Sequence, residues 1–252
     1  MQSGLNAQEL GESEDARNHL TNAVRLCPQN SEARRAYAEH LWSEQESSLA
    51  LSQMREAIVL APDDAALRRR LAEMLLAVDE CEAAFDVASE AVDLEPNEAE
   101  GWILRAKSFE SLRQPELAIL DYQHAIQCDP ENSLAYEAIT EIYLAQNRPE
   151  LAILAIQTLM DRTSDEQVLA SARVQEGKIY AVLQRPEDAR RAFQLAYQLN
   201  PTPEVEAILL SHDLYQPSSP TADPYRTPAS QWSTQQTDSI QIASQPLDAK
   251  RY

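Results

Sequence analysis

Residues 99–130 of this chain read AEGWILRAKSFESLRQPELAILDYQHAIQCDP, and this stretch decides the fold. Small and large apolar residues recur in it at helical spacing twice, before and after the dipeptide Pro115-Glu116. The two series are Trp102, Ala106, Phe109 and then Ala118, Tyr122, Ala125. Small residues let two helices approach closely, and large apolar residues fill the remaining space. The stretch therefore predicts a pair of packed helices, the second of which begins near Pro115.

A proline closes this stretch and recurs along the chain with a period of 34 residues. The prolines in this frame are Pro28, Pro62, Pro96, Pro130 and, after a small insertion, Pro201. An alanine stands twelve residues before each position of the frame, at Ala16, Ala50, Ala84, Ala118, Ala152 and Ala189. Proline has no amide hydrogen and restrains the residue before it, so each proline is expected to end a second helix. The period predicts six units, each a pair of helices, stacked into a solenoid.

The joint spacing resembles that of the tetratricopeptide repeat family over roughly residues 1–203. The fourth unit carries the fullest match, at Trp102, Ala106, Phe109, Ala118, Tyr122, Ala125 and Pro130. The resemblance implies an all-α fold, a right-handed α-solenoid of helix-turn-helix repeats. Three arginines depart from it, because they stand where an aromatic residue is usual early in the first helix: Arg34, Arg68 and Arg173. Ser164 replaces the proline of unit five, and three inserted residues near 161–167 predict a local irregularity between units five and six.

The domain organisation follows from the same frame. We expect residues 1–214 to hold about six repeats and a C-terminal capping helix over 205–212. Residues 215–252 are rich in Pro, Ser, Thr and Gln and poor in apolar residues, which predicts a disordered tail.

Gly4 already falls in the middle of the first helix of unit one, which suggests that the chain is truncated or its start misassigned. An upstream signal or membrane anchor is then expected to be missing.

Composition and motifs argue against several functions. The net charge of -20 disfavours general binding to nucleic acid or to an anionic membrane, since like charges repel. The three cysteines lack C-x-x-C spacing, and the four histidines form no H-E-x-x-H pair. Neither a P-loop nor G-x-G-x-x-G occurs among the four glycines. We therefore predict a protein that is not an enzyme and holds no metal or cofactor.

The resemblance also implies a concave groove, lined by the first helices, that grips a peptide or a partner protein. Eight residues are the candidates for this groove: Arg35, Trp42, Arg69, Arg70, Leu76, Lys107, Leu144 and Lys178. The cations among them favour an acidic peptide or a C-terminal carboxylate. The alternative for Arg35 and Arg69 is a surface salt bridge with the glutamate four residues later. Trp42, Leu76 and Leu144 form either an apolar strip for a partner or part of the packing between repeats.

Three functions fit these features. The leading hypothesis is a non-catalytic interaction scaffold that binds a peptide or protein partner in the groove. The second is a membrane-anchored or envelope assembly or secretion factor whose N-terminal signal is missing. The third is a detached regulatory piece of an enzyme. The chain alone favours a cytoplasmic location, and an envelope location applies if the start is truncated.

Overall fold

The computed structural model describes residues 2–210, with side chains described from residue 14 onward. This part of the chain contains twelve α-helices and no strand, which confirms the all-α fold class. The helices are α1 (Gln2–Leu26), α2 (Ser31–Ser43), α3 (Ser47–Leu60), α4 (Ala65–Ala77), α5 (Cys81–Leu94), α6 (Ala99–Ser111), α7 (Pro115–Cys128), α8 (Ser133–Ala145), α9 (Pro149–Arg162), α10 (Glu166–Val182), α11 (Pro186–Leu199) and α12 (Pro203–Leu210). The predicted tail, residues 215–252, lies outside the described residues.

The helices pack in the order of a helical-repeat solenoid. Each first helix contacts the second helix of its own unit: α2 with α3, α4 with α5, α6 with α7, α8 with α9 and α10 with α11. Each second helix then contacts the first helix of the next unit, and α11 contacts the terminal helix α12. The small positions predicted from the sequence are fully buried between the paired helices, at Ala50, Ala84, Ala118, Ala152 and Ala189. The solenoid of helical repeats predicted from the 34-residue period is thus confirmed.

The first unit departs from the expected pair of helices. Helix α1 runs without a break through 25 residues, Gln2–Leu26, where the frame predicts two helices and a turn. The described structure therefore contains five helix pairs between α1 and α12. None of its helices is both long and apolar enough to span a membrane within the part of the chain that is described.

A backbone turn joins the two helices of each later unit. One residue of this turn has positive φ in every case: Gln45, Asp79, Arg113, Asn147 and Gln184. In unit two the amides of Gln45 and Glu46 donate to the carbonyl oxygens of Trp42 and Leu41, at 3.0 and 2.9 Å. The same two hydrogen bonds recur in the other four turns. This Schellman arrangement satisfies carbonyl groups at the end of the first helix.

Proline positions agree with the prediction for the second helices. Helices α7, α9 and α11 begin at Pro115, Pro149 and Pro186, where a missing amide hydrogen costs nothing and a following glutamate meets the positive end of the helix dipole. The three inserted residues are absorbed by α10. It has 17 residues, whereas α8 has 13. The irregularity between units five and six is therefore an extended helix rather than a looped insertion.

Candidate functional site

The candidate binding residues lie on the first helices α2, α4, α6, α8 and α10. We call the eight of them the first-helix face: Arg35, Trp42, Arg69, Arg70, Leu76, Lys107, Leu144 and Lys178. The structure divides this face into three groups. The arginines are held in ion pairs, the apolar residues are half-buried, and the lysines are exposed.

Arg70 binds two carboxylates at once. Its guanidinium meets Glu39 of α2 in a bidentate contact, with Nε–Oε1 and Nη2–Oε2 distances of 2.7 and 2.6 Å. A third contact, at 2.8 Å, joins Nη1 to Glu73 of its own helix. The hydrogen bonding that the guanidinium donates to Glu39 is the main reason that the pKa of Arg70 lies above its usual value. Arg70 therefore links the first helices of units two and three, and its charge is already neutralised.

The other two arginines are also engaged. Arg69 pairs with Glu95 and, at 2.8 Å, with Glu100 of the next first helix. Arg35 pairs with Glu32, with an Nε–Oε2 distance of 3.0 Å. The expected partners were the glutamates four residues later, Glu39 and Glu73, but both of those bind Arg70 instead.

The charge balance of this part of the face is negative. Its three arginines meet five carboxylates: Glu32, Glu39, Glu73, Glu95 and Glu100. Two negative charges are thus in excess, and the arginines present no uncompensated cation to an acidic ligand. Such a ligand would have to displace these carboxylates, at the cost of leaving them unpaired.

The two lysines of the first-helix face differ from its arginines in exposure and in pairing. Lys107 on α6 and Lys178 on α10 are exposed, and neither makes an ion pair or hydrogen bond with any other described residue. They share one repeat position, which Glu141 holds on the intervening α8. The chain has only three lysines, so two of the three stand at this position. These are the free cations of the first-helix face.

The apolar group is shared between core and surface. Trp42 and Leu76 pack against the buried cluster that surrounds Leu41 and Leu75, while Leu144 packs against the cluster around Ile156. All three side chains are half-buried. Both interpretations drawn from the sequence thus apply in part, because each side chain contributes to packing and also keeps a surface exposed.

Next to these residues, Glu137 and Glu141 lie one turn apart on α8. Burial, and in second place the charge of Glu141, hold the pKa of Glu137 above its ordinary value. No described cation pairs with either carboxylate. The negative charges of these two glutamates in unit five therefore have no arginine partner of the kind that Arg69 and Arg70 provide in unit three.

Side-chain pairs that join the two helices of one unit were not predicted from the sequence. Arg34 and Arg68, which replace the usual aromatic residue, bind Glu56 and Glu90, each 22 residues further on. In unit four Trp102 holds the same position, and His124 stacks on its ring with centroids 4.5 Å apart. Moreover, Arg34 Nε and Trp102 Nε1 donate to the carbonyl oxygens of Pro28 and Pro96, at 3.1 and 2.9 Å. The sequence does contain a signal for these pairs, because a glutamate stands 22 residues after both Arg34 and Arg68.

The described residues show no group of three or more His, Cys, Asp or Glu side chains placed to hold a metal ion. What the structure offers is a surface of repeated side chains along one set of helices. Helix pairs stacked in this order define the class of helical-repeat proteins.

The chain is similar to one family model and to several solved structures. Residues 1–65 match the family model of the tetratricopeptide repeat. Among solved structures, YrrB, described as a TPR protein with an unusual peptide-binding site, is 18% identical with a TM-score of 0.54, over 77% of this chain and 98% of that chain. PilF of Pseudomonas aeruginosa is 16% identical with a TM-score of 0.59, over 82% and 93%. MamA of Desulfovibrio magneticus RS-1 is 18% identical with a TM-score of 0.55, over 62% and 89%.

No curated protein matches the chain by sequence. The resemblance to the tetratricopeptide repeat family is nevertheless confirmed, by the family model at the N-terminal end and by the fold of the solved neighbours along the repeats.

Proposed function

We propose that this chain is a non-catalytic scaffold that binds a peptide, or an extended segment of a partner protein, along the first-helix face. The proposal is supported by the fold, and by YrrB, which has the same fold and is described as having a peptide-binding site. The observation that carries it is the pair of exposed lysines, Lys107 and Lys178. They are uncompensated cations at one repeat position of an acidic chain.

The partner is expected to carry carboxylates that reach these lysines. Ammonium groups without an internal partner are free to form charge-assisted hydrogen bonds with aspartate, glutamate or a C-terminal carboxylate. Arg35, Arg69 and Arg70 are not needed for this, since their charge is already used within the fold. In our proposal these arginines keep the first helices in position.

The half-buried apolar residues supply the second part of the recognition. Trp42 and Leu76 occupy one repeat position in consecutive units, and Leu144 occupies it in unit five. Large apolar side chains with one side held by the core are suited to anchor apolar residues of a peptide, because they lose little side-chain entropy on binding. We thus expect a partner segment that combines apolar and acidic residues.

A displayed library of random peptides with free C-termini tests this function. Peptides selected on the native chain are expected to be enriched in acidic and apolar residues. Their affinity, measured by fluorescence anisotropy, is expected to fall by about tenfold or more for the double variant Lys107→Glu, Lys178→Glu, since each contact to a charged group is worth about 1.5–3 kcal/mol.

The matched control is Arg25→Glu, which reverses an exposed charge on α1, away from the first-helix face. It is expected to bind the selected peptides like the native chain. Equal affinity of the native chain and the lysine double variant for every selected peptide would refute the proposal. The alternative of an envelope assembly or secretion factor stays a prediction from the sequence.

A further inference from the structure

The second half of α1 leaves partly exposed a face that is buried in every later second helix. Ala16, Leu20 and Ala23 are only half-buried. Their counterparts in the five helix pairs are at most 2% exposed: Ala50, Met54, Ala57; Ala84, Ala88, Ala91; Ala118, Tyr122, Ala125; Ala152, Ile156, Leu159; and Ala189, Phe193, Ala196. In those units the face is covered by the first helix of the same unit. In unit one no described helix covers this face of α1, since residues 2–10 continue the same helix.

The segment with the right sequence for this place is residues 2–10. Gly4 stands at the repeat position of Ala38, Ala72 and Ala106, which lie in the middle of the first helices of units two to four. In the continuous α1, residues 2–10 extend away from residues 14–26 along one axis. They therefore cannot cover Ala16, Leu20 and Ala23 in this conformation.

Gly11 stands where the later units turn. It precedes Gln45 by 34 residues, and Gln45, Asp79, Arg113 and Asn147 follow one another at that interval, each with positive φ. Glycine adopts positive φ without steric cost and is unfavourable in the middle of a helix. Residue 11 is thus better suited to the turn than to the helix interior that it occupies in α1.

An independent observation concerns the same segment. The tetratricopeptide repeat model matches residues 1–65, which include the whole of α1. The sequence of residues 1–30 is thus part of a match to the repeat, although α1 is a single helix.

We propose that Gly11 is a hinge. When it takes the turn conformation, residues 2–10 fold back as a first helix onto Ala16, Leu20 and Ala23 of the same chain and complete the first repeat. When it stays helical, α1 is continuous and this end of the solenoid keeps an open apolar face. The occupant of the face is residues 2–10 of the same chain, because a short turn holds them at a high effective concentration beside it.

A distance measurement between spin labels tests the hinge. Arg105 and Asp121 of unit four are in direct contact, at 2.7 Å, and Ser3 and His19 are their counterparts in unit one. Labels are attached to Ser3→Cys and His19→Cys in the full chain, in a background of Cys27→Ser, Cys81→Ser and Cys128→Ala. A continuous helix separates these backbone positions by about 24 Å, at a rise of 1.5 Å per residue. The closed form brings them side by side.

We expect a short-distance population that persists when the labelled chain is diluted with unlabelled chain. A single distribution near the continuous-helix distance would overturn the hinge. A short distance that disappears on dilution would also overturn the proposal, because the occupant would then be a second copy.

Two glycine variants test whether the turn forms at Gly11. Gly11→Ala favours the continuous helix and penalises positive φ, so the ratio of short to long distance is expected to fall about fivefold. Gly4→Ala is the matched control, since alanine already holds that position in units two to four, and it should leave the ratio unchanged. An equal response of both variants would contradict the assignment of the turn to Gly11.

Discussion

Arg105 of α6 holds Asp121 of α7 in a bidentate ion pair, with Nε–Oδ2 and Nη2–Oδ1 distances of 2.7 and 2.8 Å. Asp121 is only 4% exposed, and the guanidinium also lies over the ring of Trp102, 4.7 Å from its centroid. This pair joins the two helices of unit four from within. Its free-energy contribution depends on both partners, because a buried charge without a partner is costly.

The first prediction concerns this ion pair. Asp121→Ala leaves the guanidinium of Arg105 largely buried without its carboxylate, and we expect a loss of about 3–5 kcal/mol in the free energy of unfolding. Urea unfolding followed by circular dichroism measures the loss. Hydrogen exchange of α6 and α7 locates it, since repeat arrays open in segments. The double variant Arg105→Met, Asp121→Leu should recover most of the loss, and an equal loss in the single and double variants would contradict this account.

The second prediction concerns the turns between paired helices. Gln184 has φ of 56°, a conformation that costs an ordinary L-residue about 1–2 kcal/mol. Glycine removes this strain but adds freedom to the unfolded chain worth about 0.5–1 kcal/mol, so Gln184→Gly should stabilise by about 0.5–1 kcal/mol. Asn147→Gly is the control, because asparagine tolerates its φ of 56° and little is gained. Thermal unfolding midpoints compare the two; a lower midpoint for Gln184→Gly would argue against strain at this turn.

The third prediction compares two buried glycines. A Cβ at Gly177 would lie 2.8 Å from ring carbons of Phe193, which is itself 2% exposed. Gly177→Ala should therefore destabilise by about 1–3 kcal/mol through overpacking. A Cβ at Gly101 would meet Val92 Cγ2 at 3.2 Å, and the higher helix propensity of alanine, about 1 kcal/mol, offsets that contact. Denaturant midpoints should fall for Gly177→Ala and change little for Gly101→Ala; the reverse order would show that α10 and α11 adapt freely.

The fourth prediction is a dependence on pH. The pKa of Glu137 is raised above 4.5 in the fold, by burial and by Glu141, so the unfolded chain loses this proton first as pH rises. The contribution of Glu137 to stability is thus present below pH 4.5 and is lost as pH rises through its folded pKa. Glu137→Gln should raise the unfolding midpoint at neutral pH and give no gain below pH about 4. The exposed Glu131→Gln serves as control; a gain for Glu137→Gln that is independent of pH would exclude this cause.

Much of the fold was predictable because local chemistry acts within a few residues. Pro115, Pro149 and Pro186 mark the starts of three second helices, since their missing amide hydrogens have no partner to lose there. The three-residue insertion was also located, but its form was not. Nothing in residues 161–167 indicates that α10 lengthens, because that outcome depends on what the extended helix packs against.

The candidate site was predictable only as a set of positions. Its eight residues lie on the first helices, yet the salt-bridge alternative for Arg35 and Arg69 named glutamates other than their partners in the structure. Several carboxylates lie within reach of each arginine along the chain, and exposed pairs differ little in energy. The distance between neighbouring first helices selects the partner, as Arg70 shows by binding Glu39 of the preceding unit.

By itself, the sequence determined that this protein is a solenoid of helix pairs, because small residues, large residues and prolines at a fixed period act on neighbouring helices. The tertiary structure decided which charges remain free. It neutralises Arg35, Arg69 and Arg70 within the fold and leaves Lys107 and Lys178 exposed. It also decided that Gly11 lies within a continuous α1. Ion pairing between units and the choice between a turn and a helix both depend on contacts across helices, which a repeat period does not specify.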